Sequence, residues 1–139
     1  MKKSNIWVLV GFLALGTAQA AVRTVEGTNL LFSEVSGCKD SDYVEGKSGA
    51  TIAPGAGGFS PKCLRVHVGA QVTIVGSSRH PAQGMDPVDG VVNPFQNASG
   101  PARAAITKVL KEPGFFGYYC ENHGTPQGEG MAGSIQVIP

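Results

Sequence analysis

The sequence predicts an all-β domain, a sandwich or barrel of short strands, and three observations carry that prediction. Residues 63–75 alternate with period two. Leu64, Val66 and Val68 are set against Arg65 and His67; past a Gly69-Ala70 turn, Val72 and Ile74 are set against Thr73 and Val75. One apolar face per strand is the pattern of half-buried strands. Residues 115–120, Phe-Phe-Gly-Tyr-Tyr-Cys, are rich in aromatic β-formers. Finally, no segment carries an amphipathic helical period or heptad of useful length, and there is no internal repeat.

Taken in chain order, residues 1–20 read as a secretory signal peptide. Lys2 and Lys3 give a basic start, residues 6–15 are apolar, and Ala18-Gln19-Ala20 offers a small-residue cleavage site before Ala21. That apolar run is too short to span a bilayer comfortably, and neither a twin arginine nor a lipid-attachment cysteine accompanies it. The expectation is Sec export, to the periplasm or fully secreted, and one domain over residues 21–139. Residues 29–32 form an early strand. Residues 39–62 are rich in Gly, Ser, Asp and Pro, with at most one brief strand around 50–53. Residues 76–103 are mainly loop. A strand over 104–110, a Glu112-Pro113-Gly114 turn, the aromatic strand 115–120 and a last strand over 133–138 complete the domain.

Cleavage before Ala21 leaves 119 of the 139 residues, one ordinary domain in size. Of eleven basic residues, Lys2 and Lys3 leave with the signal; nine remain against ten acidic ones, a net charge of about −1. That balance gives no basic patch for nucleic acid. All three cysteines, Cys38, Cys63 and Cys120, remain in the mature chain. An oxidising compartment preserves disulfides, and an odd count leaves one thiol over. Cys38 could pair with Cys63, or Cys120 could pair and leave a stray thiol elsewhere. The first reading is favoured, because Cys120 alone has a histidine and a methionine at loop spacing. A Cys38–Cys63 bridge would enclose 24 residues and contribute roughly 3 kcal/mol by restricting the unfolded chain.

Cys120 is followed by His123 and, beyond seven further residues, by Met131 in a Gly-rich loop. Thiolate, imidazole and thioether are soft to borderline donors that suit copper better than magnesium or calcium. A second imidazole would complete a His₂Cys trigonal set with a weak axial methionine, and His80, shortly after an apolar strand, is the candidate. His67 alternates outward from Leu64, Val66 and Val68 and reads as a solvated surface residue. Met85 reads as a packing residue.

Through these residues the chain resembles the cupredoxins, the plastocyanin/pseudoazurin-like group of small exported blue copper proteins. The matching parts are Val68-Gly69-Ala70-Gln71-Val72-Thr73-Ile74, His80-Pro81, Pro113-Gly114-Phe115-Phe116-Gly117-Tyr118-Tyr119-Cys120, His123 and Gly130-Met131-Ala132-Gly133-Ser134-Ile135-Gln136-Val137. The resemblance covers roughly residues 64–139. It implies a Greek-key β-sandwich with long Gly/Pro-rich loops. It further implies one copper ion cycling between Cu(I) and Cu(II), held by His80, Cys120, His123 and Met131. Seven residues separate His123 from Met131 where plastocyanin has four, which leaves Glu129 as an oxygen alternative at the axial position.

The resemblance also bears on the surroundings of the metal. Pro81 has no N–H and cannot give the thiolate the backbone hydrogen bond common at that position, which shifts the expected donor to the Asn122 side. Tyr119 resembles a surface tyrosine on a second electron route. The ring edge of His123, with Pro81, Met85, Pro126 and Ala132, is expected to form a weakly charged docking patch. Asp86 and Asp89 are too few to make it acidic, so modest salt dependence is expected. The implied function is shuttling single electrons between redox partners such as a cytochrome or a copper oxidase or reductase. The protein would be a monomer without membrane insertion, and not an enzyme, since protein ligands fill the coordination positions. The alternative is a copper carrier or buffer in copper homeostasis; a metal-free Greek-key adhesion domain is a third reading.

Overall fold

Alternating apolar and polar side chains resolve into eleven strands among the residues that the computed structural model describes, 22–25, 28–31, 35–87, 91–96 and 105–139. They are β1 Val22–Val25, β2 Thr28–Leu31, β3 Val44–Glu45, β4 Gly49–Gly55, β5 Gly58–Ser60, β6 Cys63–His67, β7 Gln71–Ile74, β8 Ala82–Gly84, β9 Ile106–Val109, β10 Gly114–Gly124 and β11 Gly130–Ile138. The expected signal peptide, Phe32, Asp89 and Ala104 lie outside the described residues.

Strands β1 and β2 pair with each other as an antiparallel hairpin. The remaining nine form two sheets, ordered β3-β6-β11-β10-β8 and β5-β4-β7-β9. Leu64 and Val66 on β6, Phe116 and Tyr118 on β10, and Ile135 and Val137 on β11 share one buried core with Ile52, Phe59, Val72, Ile74 and Ile106 of the other sheet. The molecule is therefore an all-β sandwich whose layers bury their apolar faces on each other. Both sheets are mixed. β6 pairs parallel with β11 and β3, and β4 pairs parallel with β7, while β10–β11, β8–β10 and β7–β9 are antiparallel.

The period-two segment becomes β6 and β7, which go to different sheets across the Gly69-Ala70 turn. Val68 departs from expectation and is exposed, because β6 ends at His67 and Val68 belongs to the turn. The expected loops hold more strand than their composition announced. Residues 39–62 contain β3, β4 and β5, and residues 76–103 contain β8. β3, β4 and β8 are stabilised by pairing with β6, β7 and β10, partners distant in sequence that local composition does not register, and β5 folds back on β4 as a short hairpin.

Cys38 and Cys63 are joined by a disulfide, as the favoured pairing required. It is buried beside Tyr43 and Phe115 in a second, smaller cluster. Arg65 holds the same segment from outside: its guanidinium pairs with Asp40 at 2.8 Å and Glu45 at 2.9 Å and lies over the Tyr43 ring.

Candidate metal centre

Three donor side chains converge at one end of the sandwich. Phe116, Tyr118 and Cys120 fall on the inward side of β10 by the two-residue period and are all buried, Cys120 completely. Cys120 is the free cysteine among the described residues. Its Sγ lies 3.5 Å from His123 Nδ1 and 3.9 Å from His80 Nδ1. The three donor atoms fall within 4.8 Å of one another, and the imidazole centroids are 4.8 Å apart. His80 is half-buried and His123 exposed.

The strand does not stop at Cys120, as the sequence suggested, but runs on to Gly124. Its pairing with β11 breaks there. Tyr119 is opposite Ala132, and the next pair is Gly124 with Gly130. Residues 120–123 therefore bulge out opposite Met131 alone, and a bulge is what re-aims side chains at a sheet end. Cys120 keeps the inward side that the alternation gives it, and the bulge brings His123 back beside it.

The long spacing between His123 and Met131 is absorbed beyond that point. Thr125 N–H donates to the Glu129 carbonyl (3.1 Å), Gly128 N–H to the Thr125 carbonyl (3.0 Å) and Glu129 N–H to Thr125 Oγ1 (3.3 Å). The extra residues form a self-contained turn, closed at the Gly124–Gly130 pair. Gly130 is needed at its neck: φ is +68°, and a Cβ there would run into the His123 carbonyl oxygen. Met131 emerges just inside the neck and is buried in the same apolar cluster as Cys120. Glu129 lies on the turn side of the neck and is exposed.

A second group of bonds fixes His80. Its backbone N–H donates to Ser77 Oγ and its carbonyl accepts from Ser77 N–H, both at 3.0 Å. The Asn122 amide donates to the Arg79 carbonyl at 3.0 Å and the Ser78 carbonyl at 3.4 Å, and Glu121 N–H donates to the Pro81 carbonyl at 3.0 Å. The bulge and the His80 loop are thus tied together through residues just before and just after His80 in the chain. Buried Asn93 supports the strand beneath. Its amide donates to the carbonyls of Met85 (3.0 Å) and Gly117 (2.7 Å), and its Oδ1 accepts Phe95 N–H (3.1 Å). Sequence reasoning missed Ser77 and Asn93. Each is a single polar residue in a loop, with no pattern to distinguish it.

The expected docking patch is corrected. Pro81, Met85 and Ala132 are buried, leaving Pro126 and His123 as the exposed members of that set. The cause is β8, which pairs Ala82 with Cys120 and covers this end of β10, while Ala132 is paired with Tyr119. Tyr119 is half-buried on the outer side of β10. Desolvation, then Glu121 and Asp86, push its phenol above the ordinary value. His67 is exposed, as expected, with Nδ1 2.6 Å from the Pro139 carbonyl oxygen.

The donor set fits a soft or borderline ion. With metal–sulfur and metal–nitrogen bonds of about 2.3 and 2.0 Å, a planar trigonal centre needs sulfur-to-nitrogen distances of about 3.7 Å. The two observed here bracket that value. One thiolate with two imidazoles suits copper.

No protein-family model matches the chain, and no curated protein matches it as a relative. Solved structures do. A Cu-containing nitrite reductase from Thermus scotoductus SA-01 aligns at 21% identity over 71% of this chain, TM-score 0.53; the chain spans only 28% of that protein's length. A pseudoazurin from Sinorhizobium meliloti aligns at 25% identity over 69% of this chain and 76% of its own, TM-score 0.50. A purple cupredoxin from Nitrosopumilus maritimus aligns at 30% identity over 63% of this chain and 98% of its own, TM-score 0.45.

Proposed function

The chain is a cupredoxin, and on that premise we propose that it is an exported blue copper protein carrying single electrons between redox partners. One copper ion would be held by His80, Cys120 and His123, with Met131 at the axial position. The observation that carries this reading is the convergence of a fully buried thiol with two imidazole nitrogens 3.5 and 3.9 Å from its sulfur. Copper, when bound, supplies one-electron chemistry.

The chain's own part is to hold the donors still. Cys120 sits in a strand flanked by β8 and β11, His80 is fixed by Ser77, and Asn122 spans the two ligand loops. Donors held this way move little when the ion changes charge, which favours rapid transfer. Met131 is supported as the axial donor by its place opposite the bulge, and Glu129 is disfavoured by its exposure beyond the hairpin neck. His123 supplies an exposed ring edge through which a partner such as a cytochrome or copper oxidase could exchange electrons. Four protein donors, His80, Cys120, His123 and Met131, would fill the coordination positions and leave none for a substrate, which supports a carrier rather than an enzyme. The signal-like residues 1–20 support Sec export to the periplasm or beyond.

Copper titration of the purified mature protein tests the reading. One equivalent should produce an intense thiolate-to-copper charge-transfer band that bleaches on reduction, and Cys120→Ala should lose the band while keeping the far-UV spectrum. A wild-type protein with no such band would overturn the proposal. Loss of copper over repeated redox cycles would instead favour a copper carrier or buffer.

A further inference from the structure

We infer that Ser36, in the turn leading into the disulfide, is a positioning residue for the metal centre, because it props the hairpin that delivers Met131. This rests on the copper reading for its spectroscopic consequence, but not for its mechanical one. Ser36 is buried, only 5% exposed, and adopts φ 62°, ψ 23°. That left-handed conformation is costly for a residue with a Cβ. Such a residue persists where its surroundings hold it, and commonly where position matters.

What holds Ser36 is the base of the ligand hairpin. Its Oγ–H donates to the Gly133 carbonyl at 3.1 Å, two residues past Met131, and lies 4.0 Å from Met85 Sδ. On its other side it meets the turn itself. A Cβ on Gly128 would fall 2.9 Å from Ser36 N and 3.0 Å from Ser36 Cα and Oγ, and Gly128 has φ +89°. Gly128 therefore lies directly against the Ser36 backbone. Ser36 touches the chain on both sides of Met131, five residues apart. Two residues further on, Cys38 is bonded to Cys63 at the start of β6, the parallel neighbour of β11.

The disulfide thus anchors the prop to the same sheet that carries Met131. The long turn between His123 and Met131 hydrogen-bonds to itself and is mostly exposed; the Ser36 turn gives it an inner support. Displacing that support should shift Met131 relative to the Cys120, His80 and His123 plane. In a site with a weak axial donor, such a shift retunes the thiolate–copper spectrum and the reduction potential.

Two variants test this. Ser36→Gly keeps the left-handed backbone but removes the hydroxyl; Gly128→Ala keeps the hydroxyl but pushes the turn away from Ser36. The metal-free proteins are compared by amide hydrogen exchange. Residues 125–131 should exchange roughly fivefold to tenfold faster in each variant, as expected when one hydrogen bond or close contact is lost, while β6 and β7 exchange as in wild type. The copper-loaded proteins should show a changed intensity ratio of the charge-transfer bands and a shifted potential. Unchanged exchange in residues 125–131 of both folded variants would overturn the inference, as would loosened exchange with wild-type spectrum and potential. The exchange arm needs no metal, so it decides the mechanical claim even if the wild-type protein takes up no copper, a result that would overturn the proposed function instead.

Discussion

Tyr118 shows how one side chain joins the core to the site. Its ring is fully buried against Phe59, with centroids 5.1 Å apart, and its hydroxyl donates toward the Lys62 carbonyl at 2.9 Å and the Pro61 carbonyl at 3.0 Å. Lys62 O also accepts Ser134 N–H, so Tyr118→Phe leaves that carbonyl satisfied and weakens only the remainder. The expected cost is about 1 kcal/mol, measured by urea unfolding of the metal-free protein, with the copper band unchanged. A loss above about 3 kcal/mol would mean that the hydroxyl organises more than these two contacts. At this scale much of the site was legible in the sequence. Cys120 and His123 announced themselves by chemical type and close spacing, and His80 by its place after a strand, and the structure brings these three together. Ser36, Ser77 and Asn93 did not, because a lone serine or asparagine acquires meaning only from what it touches. The patch of Pro81, Met85 and Ala132 was misjudged for a related reason: sequence proximity to a ligand does not say which side of the strand faces water.

Among the elements, the β10–β11 hairpin carries Cys120, His123 and Met131, three of the four candidate donors. Its bulge gathers Cys120 and His123, and its neck returns the chain at Met131. Gly130 holds that neck through a left-handed backbone and the absence of a Cβ. Gly130→Ala should therefore cost roughly 2–3 kcal/mol, combining the left-handed penalty with the displaced His123 carbonyl. A lowered melting temperature together with a broadened or displaced thiolate–copper band is the expected result. A melting temperature and band equal to wild type would show that the neck relaxes freely. β6, β7, β10 and β11 were readable because each has its own alternation or aromatic run. β4 was read in part, as a brief strand around residues 50–53, whereas β3, β5 and β8 were not, since each is only two or three residues long and has no pattern of its own.

On the scale of the whole molecule, buried phenols tie stability to alkaline pH. Burial raises the pKa of Tyr118, and burial also raises that of Tyr43, opposed by its hydrogen bond to Ser134 and the Arg65 charge. A phenol whose folded pKa exceeds its unfolded value of about 10 ionises first in the unfolded state. Above that pH the unfolded chain binds fewer protons, so stability falls as pH rises. Unfolding midpoints of the metal-free protein should begin to drop near about pH 10 and go on falling above it, and more shallowly in Tyr118→Phe; equal slopes in the two proteins would remove Tyr118 from the account. The sequence by itself determined the all-β class, the unpaired Cys120 and the donor chemistry, because alternation and ligand type are local properties. Only the tertiary structure decided that residues 120–123 bulge opposite Met131, that the long turn folds on itself, and that Ser36 lies against it. Those outcomes depend on registers and contacts between segments up to about a hundred residues apart, which no local pattern encodes.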